Sequence, residues 1–319
     1  MSRDLCMLDN VVDLDEGVTG KILIAGWRRQ WSDGGNLSGG LPRYLKEQSD
    51  APLVGKLISD VNSMCYPFQV AGTHDAFRPG ISFDDGLPKR SMYRNNRFFQ
   101  FSDDVIIFIG EEPWYQIDVY ADAFYKAAKH FGVKDVIFVE GYNGPAPPKI
   151  ERRISCIYSK SAMRERLDKF GLTYSSYGSR SRQGPTIGMA LLSIASERYI
   201  DLDVLRLGAM APLYPFVTEN NSQVGITTDH RSYYDILRRI RAMYNLEIDL
   251  NELKQLSDAE GNKLQSTLET IAAKNTGAQE FISKIESEFD YKPFSETINI
   301  DPVLDRALED ILNNMSEEE

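Results

Sequence analysis

Asp103-Asp104-Val105-Ile106-Ile107-Phe108-Ile109-Gly110-Glu111-Glu112-Pro113-Trp114 is the stretch on which the reading of this chain turns. Val105 to Ile109 is a continuous apolar run rich in β-branched residues, the pattern of a strand buried on both faces. Gly110 ends that run, two carboxylates follow, and Pro113 lacks the N–H that a further ladder bond would need. From Gln116 the period changes: Ile117, Tyr120, Phe124, Ala127 and Phe131 share one face of a helix, which Gly132 closes. Strand, polar turn and helix in that order place Glu111 and Glu112 beyond the carboxyl end of a strand. Ligands bind there in open α/β sheets.

The same alternation extends in both directions. Lys21–Ala25 predicts a strand that ends in Gly26-Trp27-Arg28-Arg29-Gln30-Trp31-Ser32-Asp33-Gly34-Gly35-Asn36, with a helix following from Leu37. Pro52–Ser59 and Tyr66–Ala71 predict further strands, and Lys89–Phe101 an amphipathic edge strand. Asp135–Glu140 predicts another buried strand, closed by a Gly-Pro-rich loop from Gly141 to Pro148. Ile154–Tyr158 and Val204–Met210 are strand-like, Ala162–Phe170 and Ile187–Arg198 helical. The expected core is therefore a three-layer α/β/α arrangement around a mostly parallel sheet, over residues 1–227. After Thr228 the strand patterns stop. Helices are expected over Ser232–Tyr244 and Leu250–Leu256, then from a capping-box spacing at Ser257-Asp258-Ala259-Glu260, and finally over Pro302–Met315. Residues 228–319 read as a C-terminal helical extension.

Bulk properties narrow the function. The 319 residues carry a net charge of −11, which argues against wide contact with nucleic acid or an anionic membrane. Cys6, Cys65 and Cys156 are too few and too scattered for a disulfide framework, so a reducing cytoplasm fits best. No apolar run reaches the roughly 18 residues of a membrane helix.

The turns form a series: Gly26-Trp27 with Asp33-Gly34-Gly35, Phe77-Arg78-Pro79, Gly110-Glu111-Glu112-Pro113, Gly141-Tyr142-Asn143-Gly144-Pro145, Gly184-Pro185 and Pro212-Leu213-Tyr214. In order and spacing it resembles the proteasome assembly chaperone 2 family, over roughly residues 20–256. The resemblance implies a nucleoside-phosphorylase-like core, a helical extension in prokaryotic members and homo-oligomers, with a trimer favoured. Its eukaryotic relatives are non-enzymatic chaperones of proteasome subunits. Two departures stand out: Arg28–Ser32 lengthens one turn, and Asn143-Gly144-Pro145-Ala146-Pro147-Pro148 replaces a turn in which a His is usual.

The candidate cleft residues are Asp33, Gly34, Arg78, Glu111, Glu112, Asn143, Arg180 and Tyr214. Glu111 and Glu112 read either as a general base or cation ligand, or as a helix cap with a solvated neighbour. Asp33-Gly34-Gly35 reads as an anion-holding turn or as a cap on a tight turn, and no Walker Lys follows it. Arg78, Arg152, Arg153, Arg180 and Arg182 suit a phosphate or carboxylate pocket, or buried ion pairs to Asp33 or Glu111. Arg231, Arg238, Arg239 and Arg241 read as a solvated helix face or as a docking surface for an acidic partner. No metal spacing, cofactor motif or nucleophile–base pair is legible; His74-Asp75 has no Gly-x-Ser-x-Gly elbow beside it. Two functions follow: a non-enzymatic, oligomeric, chaperone-like protein-binding module with a protein client, or a small-molecule-binding protein or enzyme of nucleoside-phosphorylase or hydrolase type.

Overall fold

The computed structural model describes residues 12–65, 81–91, 96–178, 184–218 and 220–296. In chain order they form β1 (Val12–Leu14), β2 (Ile22–Arg28), α1 (Leu37–Gln48), β3 (Leu53–Leu57), α2 (Ser59–Ser63), β4 (Ile81–Asp84), β5 (Leu87–Ser91), β6 (Arg97–Gln100) and β7 (Val105–Glu111). Then come α3 (Ile117–His130), β8 (Asp135–Gly144), β9 (Ile154–Tyr158), α4 (Met163–Leu167), β10 (Thr173–Tyr174), α5 (Ile187–Arg198), β11 (Asp203–Val217) and β12 (Gln223–Gly225). Three helices follow: α6 (His230–Tyr244), α7 (Asn251–Lys274) and α8 (Thr276–Glu288). The expected strand Tyr66–Ala71 and helix Pro302–Met315 lie outside the described residues.

One sheet runs β1-β3-β6-β7-β2-β8-β11-β9-β10, with β12 added to β11; β4 and β5 form a separate hairpin. The four central strands β7, β2, β8 and β11 are parallel, while β6 and β9 flank them antiparallel. The strand period sorts side chains between two cores. Leu23, Ala25, Trp27, Ile106, Phe108, Val136 and Phe138 pack against α3 and α5. Their neighbours Ile22, Ile24, Val105, Ile107, Ile137, Val139, Leu205 and Leu207 pack against α1 and α6 on the other face. The result is the expected α/β fold: a mostly parallel sheet between two helical layers.

Several boundaries differ from expectation. Strand β7 does not stop at Gly110; Gly110 and Glu111 pair with Trp27 and Arg28. Strand β8 continues past Glu140 to Gly144, and β11 runs through Pro212 to Val217. Up to Gly144 and Pro212 the two strands supply each other parallel ladder bonds across segments whose Gly and Pro content reads as loop, and from Leu213 to Val217 β11 pairs with the antiparallel β12. The expected strand Lys89–Phe101 divides into β5 and β6. Ser257 starts no new helix. It lies inside the continuous α7, and its hydroxyl donates to the Lys254 carbonyl.

Helix α6 is not peripheral. Tyr233, Ile236, Leu237 and Ile240 belong to the second core. Beyond it, α7 and α8 place Leu264, Leu268 and Ile282 in a smaller cluster with Tyr214 and Val224.

Candidate functional site

The turns at the carboxyl ends of the parallel strands meet by backbone contact. A Cβ on Gly34 would lie 2.3 Å from the Tyr142 carbonyl carbon, and one on Gly141 would lie 1.8 Å from the Gly34 oxygen. Gly35, at φ 66°, is seated between Ala211 and Asp229, and its carbonyl accepts the Asp229 N–H at 2.9 Å. The double glycine therefore lets one turn cross the ends of β8 and β11. Asp33 is the cap: its carboxylate accepts the Ser38 and Gly39 N–H groups at 2.6 and 2.9 Å, at the start of α1. Burial raises its pKa from 3.8 to about 6, against the pull of those N–H bonds.

Glu111 is 1% exposed and is held between two guanidiniums, Arg28 Nη2 at 3.0 Å and Arg29 Nε at 2.8 Å. The lengthened segment after Gly26-Trp27 supplies this clamp, with Arg29 at a positive φ of 59°. Beneath it runs a buried amide relay. The Trp27 indole N–H donates to Tyr120, whose hydroxyl donates to Asn96 Oδ1. Asn96 Oδ1 also accepts the Glu111 N–H, and its amide donates to Asn62. Neither Glu111 nor Glu112 caps α3. Glu112 instead accepts the Trp31 N–H at 3.1 Å, and burial raises its pKa to about 7, with the charge of Glu140 adding to the rise.

Asp33, Gly34, Glu111, Glu112 and Asn143 thus share one rim of the sheet, but their side chains do not enclose a common pocket. Asn143 is exposed at the end of β8. Tyr214 lies elsewhere: its hydroxyl donates to the Ala146 carbonyl, and its ring joins the cluster under α7 and α8. Arg78, Arg180, Arg182 and His74 lie outside the described residues.

The remaining arginines take partners that sequence spacing does not show. Arg152 meets Asp229 through Nε and Nη2 at 2.9 and 3.1 Å, and its Nη1 donates to the Pro147 carbonyl. The stripe on α6 is covered rather than solvated. Arg239 is buried against Glu151 and the Phe170 carbonyl, Arg231 pairs with Asp235, and Arg238 donates to the Phe294 carbonyl. Charges spaced for an exposed face can also serve a face that a later segment covers.

A cavity of about 500 Å³ opens beside the rim, between β8, β9, β11 and the start of α5. Arg206 on its wall is paired with a carboxylate behind it, a pair the sequence reading missed. Glu140, fully buried, accepts Arg206 Nε at 2.7 Å, the Thr186 hydroxyl at 2.6 Å and the Gly188 N–H at 2.8 Å. Arg206 Nη1 donates to Ser155 Oγ at 3.0 Å. The only sequence signal was a charged residue inside each of two apolar runs.

Large aromatic side chains stand exposed on the same rim. Trp31 is 55% exposed, Trp114 42% and Tyr115 47%. The Trp31–Glu112 bond ties the first of these to the turn that carries the other two. Among the described residues no cluster of three or more His, Cys, Asp or Glu could hold a metal ion. The Cys65 thiol, which donates to the Glu111 carbonyl, is pushed up to about 12 by burial.

The sequence profile of the PAC2 family matches residues 29–267. The chain belongs to the PAC2 family. Solved PAC2-type structures share its fold. A Mycobacterium tuberculosis proteasome-assembly chaperone homologue, Rv2125, is 18% identical, with TM-score 0.60, covering 77% of this chain and 94% of its own. A PAC2 family protein from Streptomyces avermitilis is 17% identical, with TM-score 0.58, covering 77% and 95%. PbaB, an archaeal proteasome activator from Pyrococcus furiosus, is 15% identical, with TM-score 0.53, covering 80% and 97%. No curated protein matches the chain. The PAC2 match runs past residue 227 and takes in α6 and most of α7. No described helix is long and apolar enough to cross a membrane.

Proposed function

We propose that this PAC2 protein is a non-enzymatic, chaperone-like module that self-associates and docks a protein client on the carboxyl-end rim of its sheet. The observation that carries the reading is the contrast within the rim: its carboxylates are engaged internally, while Trp31, Trp114 and Tyr115 face outward. Exposed aromatics on a structured rim are the usual anchors of protein interfaces. A catalytic rim needs the reverse, with an accessible base beside a nucleophile. Glu111 is neutralised by two arginines, Asp33 is spent on a helix terminus, and the nearby Cys65 is held as a thiol. The names of the related structures, a proteasome-assembly chaperone homologue and a proteasome activator, make a proteasome component the client to test first.

The test is sedimentation velocity of the purified chain, alone and mixed with purified proteasome core particle from the same source. The reading expects a discrete oligomer alone, a trimer by family resemblance, and a faster species in the mixture. A monomer that leaves the core particle unchanged, and that turns over nucleosides with phosphate, would reverse it.

A further inference from the structure

Arg153 and Arg206 both line the cavity beside the rim, and the two differ in how they are satisfied. Arg206 is 4% exposed; Glu140 takes its Nε and Ser155 its Nη1, which leaves Nη2 without a partner among the described residues. Gly208 makes room for that guanidinium, since a Cβ there would lie 2.1 Å from Nη1. Arg153 is partly buried, is fixed at the backbone by the Met210 N–H bond to its carbonyl, and has no carboxylate partner among the described residues. In a chain of net charge −11, a partly buried arginine with no anion beside it is an unmet electrostatic demand.

We propose that this cavity binds a small organic monoanion: a carboxylate on Arg153 and the free edge of Arg206, with a flat aromatic or apolar body against Trp31, Met189 and Met210. The charge balance sets the class. Among the described residues Glu140 offsets Arg206, so one positive charge is left over. The same carboxylate already fills the N-terminus of α5 through Gly188 and Thr186, where a phosphate would otherwise sit. The described charges would under-compensate a dianion. The volume of about 500 Å³ lies in the range of roughly 300–1,000 Å³ typical of small-molecule sites, and hydroxyls of Ser155 and Thr173 on its wall give further polar contacts. The cavity shares Trp31 with the docking rim, but its anion partners Arg153 and Arg206 are not among the exposed rim aromatics, so Arg153→Gln tests it separately from docking.

Isothermal titration and thermal shift on the full chain test it, with indole-3-acetate and benzoate as probes, indole-3-acetamide as the neutral isostere, and inorganic phosphate. The expected result is binding and a raised melting temperature with the carboxylates and none with the amide. Arg153→Gln should weaken carboxylate binding by about tenfold or more. The unliganded melting temperature of that variant should stay at the wild-type value, since no described ion pair is lost, and Arg153→Lys should restore part of the affinity. Absence of carboxylate binding at millimolar concentration would overturn the proposal. So would equal binding of the amide, unchanged affinity in Arg153→Gln, or phosphate binding as well as indole-3-acetate.

Discussion

Asp33 and Glu112 are carboxyl groups whose burial outweighs the N–H bonds they accept, which raises both above their ordinary range. The folded protein then binds more protons than the unfolded chain between pH 3.8 and about 6 for Asp33, and between pH 4.5 and about 7 for Glu112. Stability from these two groups is greatest below those windows and declines as pH rises through them. Urea midpoints measured across this range should show that decline, and Glu112→Gln should flatten its upper part. An identical pH slope in the variant would refute the assignment. Gly34 offers a second test. Its missing Cβ would overlap the Tyr142 backbone, which cannot yield as a flexible side chain can. Gly34→Ala should therefore cost at least about 1–3 kcal/mol by denaturant titration. Asp33-Gly34-Gly35 was legible as a cap on a tight turn because caps and glycine turns are local. The Arg28–Glu111–Arg29 clamp was not, because its partners lie more than 80 positions apart in sequence.

Among the elements, α6 is the piece that ties the Pro-rich loop to the sheet. Asp229 before it and Asp235 within it hold Arg152, whose Nη1 bonds the carbonyls of Pro147 and Ile150. Arg152→Met would leave Asp229 as a buried, uncompensated carboxylate. The expected loss is about 3–5 kcal/mol in the denaturant midpoint, partly recovered when Asp229→Asn is added. Strand alternation and helix period made nearly every central element legible, because each buries a face on its own. They failed where Gly and Pro sit in a ladder held by neighbours, as in β8 from Gly141 to Gly144 and β11 at Pro212. They also failed on the arginines of α6, since sequence periodicity reports which face is polar and not what later covers it.

For the whole molecule, the two helical layers and the sheet form one body, and we propose that the extension proper begins after α6. A chain ending at residue 227 loses Tyr233, Ile236, Leu237 and Ile240 from the second core and Asp229 from Arg152. It should fail to give a cooperative thermal transition, whereas a chain ending at residue 250 should keep one. Two cooperative transitions of equal quality would place the boundary earlier. The same body presents its aromatic rim on the side where the parallel strands end, clear of the cluster under α7 and α8. That rim is the claim on which the functional account stands. Its most direct test is sedimentation of the Trp31→Ser/Trp114→Ser double variant with purified proteasome core particle, beside wild type and Glu112→Gln. The account expects wild type and Glu112→Gln to co-sediment with the particle, and the double variant, folded by circular dichroism, to remain unbound. Co-sedimentation of the double variant at wild-type levels, or of none of the three proteins, would contradict it.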